Sequence, residues 1–249
     1  MLLVVFLVVG CPWILAGEIK VAVASNFTAP MKEIAAAFER SSGHRVTLSF
    51  GSSGKFFAQI KHGAPFQVFF SADRAKPEAL EKAGLVVPES RFTYAVGALA
   101  LWSVRPGYVD DDSARLKKGD FRKLALANPK LAPYGMAAVE VLQNLKLKEA
   151  TQAKWVYGEN ISQTYQFVGS GNAELGFVAV SQIMDKGRIA KGFAWIVPGE
   201  LHDPIRQDAV LLKRGAHSDA ARALLHFVRG EKAAQILQSY GYKTLADVN

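Results

Sequence analysis

Cysteine is nearly missing from this 249-residue chain: Cys11 stands alone. That excludes an intramolecular disulfide framework and a cysteine-built zinc site, and its place in an uncharged opening stretch removes it as a nucleophile of the folded part. Proline is sparse at 10 residues and charged side chains make up 21%, while half the chain is hydrophobic. Disordered, collagen-like and coiled-coil chains are thereby excluded, and a well-cored fold of one large or two small domains is expected. After residue 17 no stretch is long and apolar enough to span a bilayer. Charge of one sign is in excess but not concentrated. The 30 Lys and Arg outnumber 22 Asp and Glu, for a net charge of +8, yet basic runs stop at two residues, as at Lys117-Lys118. No basic stripe interleaved with aromatics appears, so nucleic acid is not an expected partner.

What is there begins with MLLVVFLVVGCPWILAG, residues 1–17, without a single ionisable side chain. Residues 1–16 resemble a secretory signal peptide lacking its basic start, and Val8-Val9-Gly10-Cys11 resembles a lipoprotein box that would lipidate Cys11. A membrane anchor is the third reading, disfavoured by Pro12 in mid-run. The first two place the remaining chain outside the cytoplasm.

From residue 18 strand and helix patterns alternate, which predicts an α/β fold with mostly parallel pairing. Strands are expected at 19–24, 45–50, 67–71, 94–104, 124–127, 154–157, 175–180, 193–197 and 209–212. Helices are expected at 28–40, 54–62, 75–83, 135–146, 162–169, 181–186 and 218–239. The long apolar run 93–103 and the extended run 203–212 suggest two crossings between lobes, with a ligand cleft between them. The first lobe would hold 17–97 and 209–249, the second 98–208.

Four strand-to-helix junctions carry small hydroxyl or amide residues: Ser25-Asn26-Phe27-Thr28, Gly51-Ser52-Ser53-Gly54, Asn128 to Gly135 and Glu159 to Gln163. Each is compatible with a plain helix cap. Together they would aim four helix N-termini, with unpaired N–H groups, at whatever occupies the cleft. Ser52 and Ser53 between glycines would also suit a backbone nest for an anion. Enzyme templates fail. Gly51 to Lys55 lacks P-loop spacing, Gly169-Ser170-Gly171 is no nucleophile elbow, and the five histidines are isolated from carboxylates. Asp73 reads as a helix cap and Asp110-Asp111-Asp112 as a solvated turn. A secreted serine hydrolase using Ser53 stays open as an alternative but has no histidine base placed by sequence.

The ordered set Ala24-Ser25-Asn26-Phe27, Ser49 to Gly54, Gly63 to Asp73, Asn128-Pro129 with Ala132-Pro133-Tyr134-Gly135, Leu175 to Ala179, and Asp203-Pro204-Ile205 with Gln207 resembles the periplasmic molybdate-binding proteins of ABC transporters. The resemblance runs from about residue 18 to Tyr242. It implies a two-lobed type II binding-protein fold that closes on molybdate or tungstate and docks on a membrane permease, working as a monomer without a cofactor. It also implies that Ser25, Asn26 and Ser53 bind the oxyanion from the first lobe, and Tyr134 and the backbone of Ile161 from the second. Many members carry a tyrosine where this chain has Ala179, and Tyr134 supplies a phenol in its place. Sulfate or another tetrahedral anion is the alternative ligand. The implied ligand residues include no Lys or Arg, so the net charge would act only as a diffuse, salt-sensitive aid to capture.

Overall fold

The computed structural model describes residues 17–110 and 113–244. The signal or lipoprotein leader at 1–16, with Cys11, lies outside the described residues, as do Asp111 and Asp112 of the acidic turn.

The chain runs β1 (Glu18–Ala24), α1 (Thr28–Ser42), β2 (Arg45–Gly51), α2 (Ser53–Lys61), β3 (Val68–Phe70), α3 (Ala75–Lys82) and β4 (Phe92–Gly97) before its first crossing. Then come β5 (Leu99–Ser103), α4 (Ala114–Lys118), β6 (Leu124–Ala127), α5 (Pro133–Asn144), α6 (Lys148–Thr151), β7 (Trp155–Gly158), α7 (Ile161–Gly169) and β8 (Leu175–Ala179). One turn, α8 (Val180–Ile183), leads into the hairpin β9 (Met184–Asp185) and β10 (Arg188–Ile189), followed by β11 (Phe193–Ile196). The chain returns through β12 (Ile205–Leu211) and ends in α9 (Asp219–Val228) and α10 (Glu231–Ser239).

Two five-stranded sheets result, in the orders β2-β1-β3-β12-β4 and β11-β5-β8-β6-β7. In the first, β1 pairs in parallel with β2 and β3, while β12 runs antiparallel to β3 and β4. In the second, β6 is parallel to β7 and β8, whereas β5 is antiparallel to β8 and β11. Both are mixed sheets flanked by helices, the α/β architecture expected.

The first lobe shows why these residues form these elements. In α1, Met31, Ile34, Ala35 and Phe38 recur at helical spacing and bury against Val21, Val23 and Phe70 of the sheet. Removing a side chain such as Phe38 from water contributes roughly 2–3 kcal/mol. The helix ends at Gly43, whose φ of 75° closes the last turn with an N–H bond to the Glu39 carbonyl. On the opposite sheet face Ala22 and Phe69 pack against Phe56, Ile60 and Leu80, so β1 is covered on both sides. That is why it reads as a continuous apolar run.

Several boundaries differ from expectation for physical reasons. The run 94–104 is two strands in two different sheets, because Ala98 is where the chain changes lobe; both halves are apolar, so no polar residue marks the break. The return crossing enters the first sheet at Ile205, so the expected edge between 208 and 209 falls inside β12. Its buried Gln207 and Asp208 hide that strand from hydropathy. The single helix expected at 218–239 is broken at Arg229-Gly230, and the helix expected at 181–186 stops after one turn to make the β9–β10 hairpin. Among the described residues no helix is long and apolar enough to cross a membrane.

Candidate functional site

The two lobes are closed on one another. Gly54 N–H donates to the Leu131 carbonyl at 2.9 Å, Ser162 Oγ to the Ser25 carbonyl at 3.2 Å, and Ser181 Oγ to the Asn26 carbonyl at 2.8 Å. At the rim Lys55 Nζ meets Glu159 Oε2 at 2.6 Å. Between these contacts lies a small cavity of about 10 Å³ that is lined by Ser25, Asn26, Ser53, Tyr134 and Ile161 together with small or apolar neighbours. The structure thus brings all five sequence-selected residues to one place, and all five are buried. No charged side chain lines this cavity.

Each residue arrives at a helix start, and the caps determine which donors remain. Asn160 caps α7 by accepting from Ser162 N at 3.0 Å and Gln163 N at 3.1 Å, while its carbonyl accepts from Thr164 N at 3.2 Å. The Ile161 N–H is left without a partner among the described residues, at the positive end of the helix. In α2, Ser52 Oγ accepts from Lys55 N at 3.3 Å, and the Ser52 carbonyl accepts from Phe56 N at 3.2 Å. With Gly54 N bound to Leu131, the Ser53 N–H is likewise uncommitted among the described residues.

The hydroxyls follow the same logic. Ser53 Oγ accepts from Ala72 N at 2.9 Å, so its proton remains for another acceptor. Ser25 Oγ has no partner among the described residues, and Ser25 begins a short 3₁₀ turn, Ser25–Phe27. Asn26 faces the cavity through its main chain. Its side-chain Nδ2 is consumed by Gln207 Oε1 and Tyr242 Oη, both at 2.8 Å, which leaves the Asn26 main-chain N–H as its donor toward the cavity. Tyr134 follows Pro133, which opens α5 with its fixed φ and absent N–H. Its phenol accepts from Gln207 Nε2 at 3.1 Å. Burial pushes the Tyr134 and Tyr94 phenols well above the ordinary tyrosine range, and Tyr242 up to about 12. All three stay neutral donors at any physiological pH.

The serine pair is not a nest. Ser52 is extended at φ −74° and ψ 145° and Ser53 is already helical. Gly54 serves a close approach instead: a Cβ there would lie 3.0 Å from the Leu131 Cα and carbonyl oxygen. Asp73 acts as a cap, accepting from Lys76 N at 3.0 Å. No histidine or carboxylate lines the cavity beside Ser53; His62 bonds the Ala58 carbonyl and His202 that of Asp203. Among the described residues no group of three or more His, Cys, Asp or Glu could hold a metal ion.

Sequence reasoning missed the polar residues behind the cavity. Gln207, Tyr94, Tyr242 and Ser181 form a buried hydrogen-bonded cluster around Asn26 and Tyr134. The available signal was polar residues in extended apolar segments, as at Gln207 in β12.

Known proteins resemble this chain along nearly its whole described length. A family model for bacterial extracellular solute-binding proteins matches residues 19–243. The chain is 57% identical over 227 residues to the molybdate-binding protein ModA of Azotobacter vinelandii, covering 91% of this chain and 90% of that one. It is 52% identical to the protein of that name from Rhodobacter capsulatus, over 92% of this chain and 89% of the relative. The solved structure of the A. vinelandii periplasmic molybdate-binding protein superposes with a TM-score of 0.88 at 40% identity, covering 91% of this chain and 99% of that one. With two mixed α/β sheets closed over an uncharged cavity and nearly the whole described chain matched, this protein belongs to the bacterial extracellular solute-binding protein family.

Proposed function

We propose that the chain captures molybdate or tungstate in the cleft and delivers it to an ABC permease. The observation that carries this reading is the cavity's chemistry. Hydroxyls of Ser25, Ser53 and Tyr134 and main-chain N–H groups at Asn26, Ser53 and Ile161 surround a space with no charged side chain. A fully deprotonated tetrahedral oxyanion offers only acceptors, so a set made of donors satisfies it. A hydrogen phosphate would bring a proton with no side-chain carboxylate to receive it. Sulfate matches the charge but is smaller, so its rejection rests on donors left under-coordinated around the smaller ion. Neutral donors make no salt bridge with the ion, which favours its release to the permease.

The relatives named as molybdate-binding support this ligand. A solute-binding protein is not an enzyme, and the absence of a base beside Ser53 argues against hydrolysis. In this reading residues 1–16 export the chain to the periplasm, by cleavage or by lipidation at Cys11, and the mature protein acts as a monomer without a cofactor. The lobes, 17–97 with 209–249 and 98–208 to within a few residues, open and close about the two crossings.

A thermal-shift panel with molybdate, tungstate, sulfate and phosphate tests the assignment. Molybdate and tungstate are expected to raise the melting temperature, by the equivalent of about 2.7 kcal/mol at one hundred times the dissociation constant. An equal rise with sulfate would overturn it.

A further inference from the structure

The residues assigned to the ion omit the side chain that touches two of them. Gln207 is fully buried on β12. The register between β12 and β4 shifts there: Gln207 faces Ala95 and Asp208 faces Thr93, so Tyr94 is the extra residue of a bulge. Gln207 Oε1 accepts from Asn26 Nδ2 at 2.8 Å and from Tyr94 Oη at 2.9 Å, while Nε2 donates to Tyr134 Oη at 3.1 Å. Tyr94 Oη also reaches the Ser71 carbonyl at 3.1 Å, so its one proton is shared, and it is the bond from Asn26 Nδ2 that turns the amide oxygen toward Asn26 and the nitrogen toward Tyr134. The phenol oxygen of Tyr134 is therefore an acceptor toward Gln207, and its single proton must go elsewhere. Tyr242 Oη lies beside it as well and, with one lone pair taken by Asn26 Nδ2 at 2.8 Å, competes for that proton with a bound oxyanion, whose charge makes it the stronger acceptor. Space for this arrangement comes from Gly97, where a Cβ would stand 2.0 Å from Tyr134 Oη and 2.5 Å from Gln207 Nε2.

We infer that Gln207 is a positioning residue for the ion site: it donates to Tyr134 so that the phenol's proton is offered to the oxyanion, and it holds the Asn26 amide back so that only the Asn26 main-chain N–H faces the cleft. The inference rests on Tyr134 being one of the ion's ligands. Asn26 lies in the first lobe, Tyr134 in the second, and Gln207 in the strand that joins them, so the same side chain ties the polarity of the site to closure of the lobes.

The test is a double-mutant cycle read by calorimetry with sodium molybdate on the mature chain, with the ion-free melting temperature recorded separately. Tyr134→Phe is expected to weaken binding about tenfold, and Gln207→Met by about as much. On top of Tyr134→Phe, Gln207→Met should then cost less than about twofold, a coupling that a purely structural loss would not produce. Equal losses in both backgrounds, or none in the native one, overturn the inference while leaving Tyr134 in the site. No effect of Tyr134→Phe alone overturns the site assignment, and the inference with it. If Gln207→Met fails to fold, Gln207→Glu repeats the cycle. It keeps the acceptor for Asn26 and Tyr94 but draws the Tyr134 proton onto itself, so its loss should be larger with Tyr134 present than in the Tyr134→Phe background.

Discussion

Gly54 and Leu131 meet main chain to main chain across the cleft, the Gly54 N–H donating to the Leu131 carbonyl at 2.9 Å. Gly54 sits in the first turn of the helix that Ser53, a cavity residue, opens, and Leu131 lies in the loop leading to Tyr134. Closing the lobes and assembling the donors are therefore one event.

Gly54→Ala should weaken molybdate binding while leaving the ion-free protein nearly as stable. Its Cβ would sit 3.0 Å from Leu131 main-chain atoms, an overlap that costs about 1–3 kcal/mol when the lobes close and nothing when they are apart. Calorimetry beside thermal unfolding separates the two. Unchanged affinity would show that the contact does not limit closure.

The adjacent serines should separate by role. Ser52→Ala removes the cap on Lys55 N, for a stability loss of about 1 kcal/mol with affinity nearly intact. Ser53→Ala removes a donor proposed for the ion and strands the buried Ala72 N–H, so affinity should drop about tenfold or more and stability by about 1–3 kcal/mol. Equal affinity in the two variants would remove Ser53 from the site.

Alkaline unfolding should be steep. In the unfolded chain tyrosine ionises near its ordinary value of about 10, while burial holds Tyr94 and Tyr134 well above it and Tyr242 at about 12. Below about pH 10 the stability from keeping these phenols neutral is fully present. It is lost as pH climbs from there through the folded values, by up to about 1.4 kcal/mol per pH unit for each tyrosine. Urea unfolding between pH 8 and 11 reads this, and Tyr242→Phe should flatten the slope. A midpoint that does not move would contradict it.

Affinity should depend only weakly on salt. The cavity has no charged lining, and the rim pair Lys55–Glu159 is about half exposed, with side-chain exposures of 50% and 41%. Lys55→Ala should therefore change binding by less than about 1 kcal/mol. The net charge of +8 should appear in the association rate at low ionic strength. A tenfold loss of affinity between low and physiological salt would mean that a cation does reach the ion.

Much of this site is local in origin and could be seen without a structure. Ser25, Ser53, Tyr134 and Ile161 stand at strand-to-helix junctions, and a helix start exposes N–H groups wherever it occurs. The role of Asn26 was only half legible. Its position marks a donor, but that the donor is the main chain depends on Gln207, 181 residues away. The crossing at Ala98 was legible as a run too long for one strand, but its division into two strands was not, because both β4 and β5 are apolar, and the entry of β12 was masked by buried polar residues whose partners lie on distant strands.

Composition and periodicity determined the α/β class, the lack of cysteine chemistry and the four junctions, since each of these follows from residues within a few positions of one another. Only the tertiary structure decided that four helix starts enclose one small uncharged cavity, that Gly54 and Gly97 give room for contacts between lobes, and that Gln207 sets the direction of a phenol's proton. These depend on two chain crossings that carry residues far apart in sequence to hydrogen-bonding distance, and no local pattern encodes such a distance.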